Sequence, residues 1–334
     1  PSDIQSIVKK AMVERMKEHY HINWFEEDGA DYPVRVIIYK DIVTIGLDTS
    51  GESLHKRGYR RMVSKAPIEE TLAAALIKLT PWNKSRILVD PFCGSGTFPI
   101  EAAMMGANIA PGMHREFQAQ NWDNIVSPKL FARGFEEAES LVDTSVEMDI
   151  QGYDIDPQIV KAARENAKRA GVDGLIHFQQ RPVHHLSHPK KYGFVITNPP
   201  YGERISSKDL LGLYEMIGSQ LKHVFKGYDA WIISYHDECF NKIGLKPAIC
   251  INMMNGSLEC EYRKYEIFEG KYNDFKRETG GFKEKKKDSE STEFKKREYR
   301  FKERNNEKAE KRLPYRDKEP FTKTETRFRK KKDD

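Results

Sequence analysis

Three stretches of this chain carry residue types that could do chemistry together. The first, Val89-Asp90-Pro91-Phe92-Cys93-Gly94-Ser95-Gly96-Thr97, reads as a strand passing through a glycine-containing turn into a helix, where the backbone can approach a ligand closely. The second, Gly152-Tyr153-Asp154-Ile155-Asp156, reads as a strand ending in an acidic residue, whose carboxylate can accept hydrogen bonds from both hydroxyls of a ribose. Together they suit a nucleoside-bearing cofactor better than either does alone. A phosphate-binding loop would need Gly-Lys followed by Ser or Thr, and a dinucleotide site would want GxGxxG; the sequence has neither. Asp90 at the loop entrance would repel a pyrophosphate but accept the ammonium of a methionine moiety, whose carboxylate the amides at the helix start could hold. These residues favour S-adenosylmethionine.

The third stretch is Thr197-Asn198-Pro199-Pro200-Tyr201-Gly202-Glu203-Arg204, after an apolar run. Two prolines cannot continue a central strand, and they stiffen the backbone at the sheet edge where α/β proteins bind ligands. The side-chain oxygen of Asn198 and the carbonyl of Pro199 could accept both hydrogens of a planar amino group, drawing its nitrogen lone pair toward a sulfonium methyl. Tyr201 offers a flat face for stacking, so alignment and electrostatics replace a strong general base.

These stretches need a scaffold, and the pattern supplies one. Ser2 to Lys17 has helical periodicity, and Val34 to Tyr39 and Ile42 to Leu47 are rich in β-branched residues. That is too little for an independent domain. Ser53 to Arg61 gathers His55, Lys56, Arg57, Arg60 and Arg61 around Gly58 and Tyr59, as an RNA-phosphate contact or a solvated hinge. From Ala66, Pro67 and Glu69-Glu70 open a helix through Leu72 to Leu79, stopped by Pro81. Strands at Ile87 to Val89, Gln151 to Tyr153, Ile176 to Gln179, Phe194 to Thr197 and Ala230 to Ser234 alternate with helices at Thr97 to Met105, Pro157 to Ala170 and Leu210 to Phe225. The expected class is α/β with a mostly parallel central sheet.

Composition bounds the rest. Of 334 residues, 38% are hydrophobic and 32% charged, a polar balance that leaves part of the chain without a core. Residues 271–334 carry 24 Lys or Arg against 15 Asp or Glu, a net of +9, so the preceding 270 residues carry −4. This tail has few aliphatics but recurrent Phe and Tyr, the composition of a disordered segment suited to RNA phosphates and bases or of a solubilising tail. No apolar run spans a bilayer and no signal-peptide pattern is present. Pro1 leads almost directly into a helical pattern, as though a longer chain preceded it. Cys93, Cys239, Cys250 and Cys260 form neither a CxxC pair nor metal-ligand spacing, so no metal is expected and a reducing cytoplasm fits best. His184, His185 and His188 read as a polar loop.

The three stretches resemble class I S-adenosylmethionine-dependent amino methyltransferases. The nearer likeness is to the THUMP-containing bacterial 23S rRNA guanine-N2 methyltransferases, the RlmL/YpsC-like family. It rests on Ala66-Pro67-Ile68 with Glu70 to Leu76, the loop Asp90 to Ala103, Asn108-Ile109-Ala110-Pro111-Gly112 with Trp122, and Asn198 to Arg204, and covers about Pro1 to Phe268. The resemblance implies a Rossmann-like methyltransferase domain over 61–270, preceded over 1–60 by the latter part of a THUMP-like RNA-binding domain and a hinge, with 271–334 as the basic tail. It implies cofactor contacts from Asp90, Pro91, Phe92, Gly94, Ser95, Gly96, Thr97, Asp154 and Ile155, and a catalytic set of Asn198, Pro199, Pro200 and Tyr201. The implied partner is RNA, 23S rRNA or a ribosome assembly precursor. Methylation of tRNA guanine, DNA adenine-N6 or protein glutamine stays open, as does a non-catalytic assembly factor. One departure is Phe178-Gln179-Gln180-Arg181-Pro182, where the family often has an acidic residue to meet the adenine amino group; Gln180 or a backbone group would take its place.

Overall fold

The computed structural model describes residues 2–60, 67–190, 192–201 and 207–268. Arg61, Gly202, Glu203, Arg204 and the tail 271–334 lie outside the described residues, and the expectations placed on them go with them. The chain begins with helix α1 (Ser2–Tyr20) and a two-stranded antiparallel sheet, β1 (Val34–Tyr39) and β2 (Ile42–Leu47). Lys40 and Asp41, which join the strands, both have positive φ, the twist that a two-residue hairpin turn requires.

Seven further strands form one sheet: β3 (Leu88–Asp90), β4 (Ile150–Asp154), β5 (Ile176–Gln180), β6 (Phe194–Thr197), β7 (Asp229–Ser234), β8 (Ile249–Asn255) and β9 (Leu258–Glu266), in the order β5-β4-β3-β6-β7-β9-β8. The first five of that order are parallel, while β9 runs antiparallel to both β7 and β8. The chain leaves β3 toward β4 and β5 and returns on its other side as β6. Strand order therefore reverses between β3 and β6, the position at which open α/β sheets hold ligands.

Alternation along the strands divides the core. Leu88, Ile150, Phe194, Ile196 and Trp231 pack on one face with residues of α2 (Glu70–Leu79), α3 (Thr97–Gly106) and α5 (Pro157–Arg169). Val89, Val195, Ala230 and Ile232 pack on the other with α6 (Ser207–His223) and α7 (Asp237–Ile243). A sheet covered on both faces reads as short, almost wholly apolar strands, which is what makes β3 and β6 recognisable. The caps of α5 fall as expected: Asp156 accepts from the amides of Gln158 and Ile159, Pro157 opens the helix, and Gly171 follows it with φ +71.

Other expectations are corrected. Pro67 stands outside α2, which starts at Glu70, and α1 continues beyond Lys17 to Tyr20. Helix α4 (Pro128–Ser140), helix α7 and the β8–β9 hairpin were absent from the sequence reading; α4 has no buried residue and β8 is mostly exposed, so neither leaves a continuous apolar signature. The segment before residue 61 is no solvated hinge throughout, because Arg57 and Tyr59 are buried. Arg57 pairs with Glu101 at 3.5 Å, Tyr59 donates to Glu101 at 3.1 Å, and Arg60 pairs with Glu70 at 2.8 Å. Among the described residues no helix is long and apolar enough to cross a membrane.

Two glycines of α6 make opposite predictions. A Cβ on Gly212 would meet nothing within 4 Å, whereas one on Gly218 would lie 2.1 Å from the Ile243 carbonyl oxygen of α7. Gly212→Ala should stabilise the protein by about 0.5–1 kcal/mol through helix propensity. Gly218→Ala should destabilise it by about 1–3 kcal/mol by forcing the helices apart. Denaturant unfolding of the two variants checks both signs.

Candidate active site

Parallel strands can lie side by side only while their ladder continues, and between β3 and β6 the last registered pair is Val89 with Val195. Beyond it the chains separate, β3 into the turn 91–96 and β6 into Asn198-Pro199-Pro200. Side chains then hold the three chemistry-bearing stretches together. Thr197 Oγ1 donates to Asp90 Oδ1 at 2.6 Å, joining the third stretch to the first. The Cys93 amide donates to the Tyr153 carbonyl at 2.8 Å and the Gly94 amide to Asp154 Oδ2 at 3.1 Å, joining the first to the second.

The turn is shaped by backbone that glycine permits. Gly94 and Gly96 have φ of +52 and +92, and Gly96 caps α3 in the left-handed region. A Cβ on Gly96 would press on Phe178, Ile100 and Ala163 at 3.0–3.2 Å, so the turn is set close against β5 and α5. Asn166 Nδ2 secures the Ser95 carbonyl at 3.1 Å, and Arg60 donates to Thr97 Oγ1 at 2.6 Å at the start of α3. Ser95 is buried and its hydroxyl has no hydrogen-bond partner among the described residues. Pro91 is buried, and Phe92 packs against the α6 side of the core.

The acidic residues differ in surroundings. Asp90 is 1% exposed, receives hydrogen bonds from Thr197 and from the Phe92 amide, and among the described residues forms no ion pair. Burial raises its pKa to about 7, with the neighbouring Asp154 pushing the same way and the two hydrogen bonds opposing. Asp154 is half-buried; burial raises its pKa, while the amides of Asp156 and Gly94 lower it. Ile155 lies at the rim, 69% exposed, and its carbonyl accepts from Gln180 Nε2 at 3.1 Å.

On the far side of the cleft, Asn198 Oδ1 is buried and has no hydrogen-bond partner among the described residues, a strong acceptor left unsatisfied. Tyr201 presents its ring against Tyr235 edge to face, with centroids 5.3 Å apart, and its hydroxyl accepts from Asn255 Nδ2 at 2.6 Å. Burial pushes its pKa up to about 12, so it is neutral at physiological pH. The cleft can thus receive a cation at Asp90, a diol at Asp154 and a planar amine between Asn198 and Tyr201.

A family model described as an RMKL-like methyltransferase domain matches residues 57–264, and one for the THUMP domain matches residues 1–48. The chain belongs to the RMKL-like methyltransferase family. YpsC of Bacillus subtilis, named provisionally as an RNA methyltransferase, is 40% identical over 268 residues, covering 79% of this chain and 69% of that one. The ribosomal RNA large subunit methyltransferase K/L of Vibrio campbellii is 39% identical over 249 residues; the match takes in 73% of this chain but only 35% of the Vibrio enzyme. Among solved structures, SMU.472, named provisionally as a methyltransferase and solved in complex with S-adenosylhomocysteine, superposes with a TM-score of 0.73 at 36% identity over 80% of this chain and 71% of that one.

Against the RMKL-like fold, the reading from sequence missed the contributions of Asn255, Tyr235 and Cys260. Asn255 ends β8 and reaches Tyr201, and Cys260 on β9 lies beside the same hydroxyl. Only the Asn-Gly of Asn255-Gly256, a hairpin signal, marked this element in the sequence. His188 is bonded to Gln151 and paired with Asp149, and no cluster suited to a metal occurs among the described residues.

Asp90 carries a stability consequence. Its native pKa lies above the ordinary carboxylate value, so between about pH 4 and 7 the native state keeps a proton that the unfolded chain has released. Stability falls as pH rises through that window. Asp90→Asn should therefore raise stability by about 2–4 kcal/mol at pH 8 and by much less at pH 4. Unfolding curves at the two pH values test it.

Proposed function

We propose that this chain is an S-adenosylmethionine-dependent RNA methyltransferase that modifies the exocyclic N2 amine of a guanine in 23S rRNA. The observation that carries the reading is the buried Asn198 Oδ1, unpartnered among the described residues, on a side chain that reaches the hydroxyl of the half-buried Tyr201. Such an acceptor suits a planar amine that brings its own N–H donors. The large-subunit rRNA naming of the Vibrio relative supports the substrate, the bound S-adenosylhomocysteine of SMU.472 supports the cofactor, and the THUMP match supports RNA as partner.

The residues fit the cofactor's chemistry. Asp90, ionised above about pH 7 and with no ion-pair partner among the described residues, suits the methionine ammonium; the orphaned Ser95 hydroxyl and the amides opening α3 suit its carboxylate. Asp154 suits the ribose, and the exposed Ile155 side chain suits an apolar face of the adenine. When bound, S-adenosylmethionine supplies an electrophilic methyl on a sulfonium. Asn198 Oδ1 and the Pro199 carbonyl accept the two amine hydrogens, which tilts the nitrogen lone pair toward the methyl group. Pro200 stiffens the turn, and Tyr201 stacks on the base, which must be taken out of its helix to arrive there. The proton leaves to water afterward. Residues 1–60 serve RNA docking, 61–270 the chemistry, and 271–334 add basic contacts to RNA or a ribosome precursor. The four free cysteines accord with a cytoplasmic site of action.

Labelled methyl transfer to undermethylated 23S rRNA, tRNA, DNA and a glutamine-bearing protein, with nucleoside mass spectrometry of the product, tests the substrate. N2-methylguanosine in rRNA is expected; label in any other acceptor overturns the assignment. Asn198→Ala should lower kcat by about 10²–10³-fold while leaving cofactor affinity within about twofold. Near wild-type turnover in this variant would overturn the mechanism.

A further inference from the structure

Thr197 is given no contact with cofactor or amine in the proposed site, yet it bridges the two halves of the cleft. It is the last residue of β6, fully buried, and immediately precedes Asn198. The backbone ladder between β3 and β6 has already ended at Val89 and Val195. Past that point the 2.6 Å bond from Thr197 Oγ1 to Asp90 Oδ1 spans the gap between the two strands. One side chain therefore connects the proposed ammonium-binding carboxylate to the strand end from which the proposed amine acceptor follows.

We propose that Thr197 is a positioning residue: its hydroxyl fixes the orientation and charge of Asp90, and so makes cofactor capture depend on the strand that carries Asn198. This rests on the cofactor assignment given above and extends it. A methyl group in place of the hydroxyl would preserve the shape and buried volume of the side chain but would leave Asp90 Oδ1 with only the Phe92 amide. The other groups facing Asp90 do not replace the lost donor. Asp154 on β4 is like-charged, the Cys93 thiol is itself pushed far up by burial, and Tyr262 on β9 feels the Asp90 charge but makes no hydrogen bond to it among the described residues. Since the Thr197 bond favours the ionised carboxylate, its removal shifts ionisation to higher pH, and a ligand that needs the carboxylate charged is lost near neutrality and regained as pH rises.

The test is calorimetric titration of S-adenosylhomocysteine, which bears the same ammonium, into wild type, Thr197→Val and Thr197→Ser from about pH 6 to about 8.5. Thr197→Val should bind about tenfold more weakly at pH 7 and recover most of that loss at the alkaline end, with Thr197→Ser within about twofold of wild type throughout. Thr197→Val matching wild type at every pH would overturn the inference. So would a deficit that is constant with pH and shared by Thr197→Ser, which would mark a packing role. Failure of the wild type itself to bind would instead overturn the cofactor assignment on which the inference stands.

Discussion

A carboxylate buried with no ion-pair partner among the described residues is the constraint around which this fold is arranged. Asp90 is placed at the end of β3 because that is where the sheet reverses its strand order and its neighbours part. The same geometry that makes a cleft removes the carboxylate from water, and its two hydrogen bonds, from Thr197 and Phe92, do not restore what hydration supplied. A site of this kind lowers the stability of the empty protein and is relieved when a cation arrives. The tight glycine turn, the orphaned Ser95 hydroxyl and the unpartnered Asn198 oxygen share that character: each is a polar or conformational cost borne just past the end of β3 or β6.

Rigidity elsewhere keeps those costs from relaxing, and it comes from a segment whose charges suggested solvent or RNA. Arg57 and Tyr59 both reach Glu101 of α3, while Arg60 binds Glu70 of α2 and Thr97 at the beginning of α3. Arg169 of α5 holds the Tyr59 carbonyl at 2.8 Å, and Arg115 donates to the carbonyls of Ser50, Glu52 and Ser53. Tyr32 stacks on Trp122, whose indole donates to the Asp31 carbonyl. Buried ion pairs add little net stability, since desolvation offsets attraction, but they are specific about geometry because a single misplaced partner is costly. Here they attach the region that follows the THUMP match to the helix that begins at the glycine turn.

Legibility in the sequence followed burial. The central strands, α5 with its caps and the three motif stretches could be read because each carries a dense local signature: apolar runs bounded by Gly, Pro or acidic residues. β1 and β2 were read to the residue, since β-branched alternation survives even where the strands are exposed. The β8–β9 hairpin could not be read, because its residues are half exposed and its antiparallel place beside β7 is decided by long-range pairing. The basic cluster before residue 61 was misjudged for a related reason: whether an Arg faces water or a buried Glu depends on a partner more than forty residues away. For the site, the participants were visible and the ties between them were not. Nothing local announces that Thr197 will meet Asp90 or that Asn255 will meet Tyr201.

Those ties bear on how the proposed reaction handles protons. A general base for an amine needs a pKa near the working pH and a position beside the nucleophile. Tyr201 has the position, but with a pKa near 12 and an Asn255 donor on its oxygen it is a fixed neutral surface. Asp90 has a pKa near 7, but Thr197 and Phe92 hold its oxygen at the β3 side of the cleft, where the proposed ammonium neutralises it. Asn198 cannot take a proton at all. In the proposed reaction the cleft therefore aligns an amine without deprotonating it in advance, which is sufficient when the electrophile is already a cation and the nitrogen becomes acidic only after the methyl has arrived. On this account pH acts on the reaction through cofactor capture at Asp90, and the methyl transfer itself, which releases a neutral thioether, is governed by how firmly the β3–β6 cleft holds Asn198 and the amine it aligns.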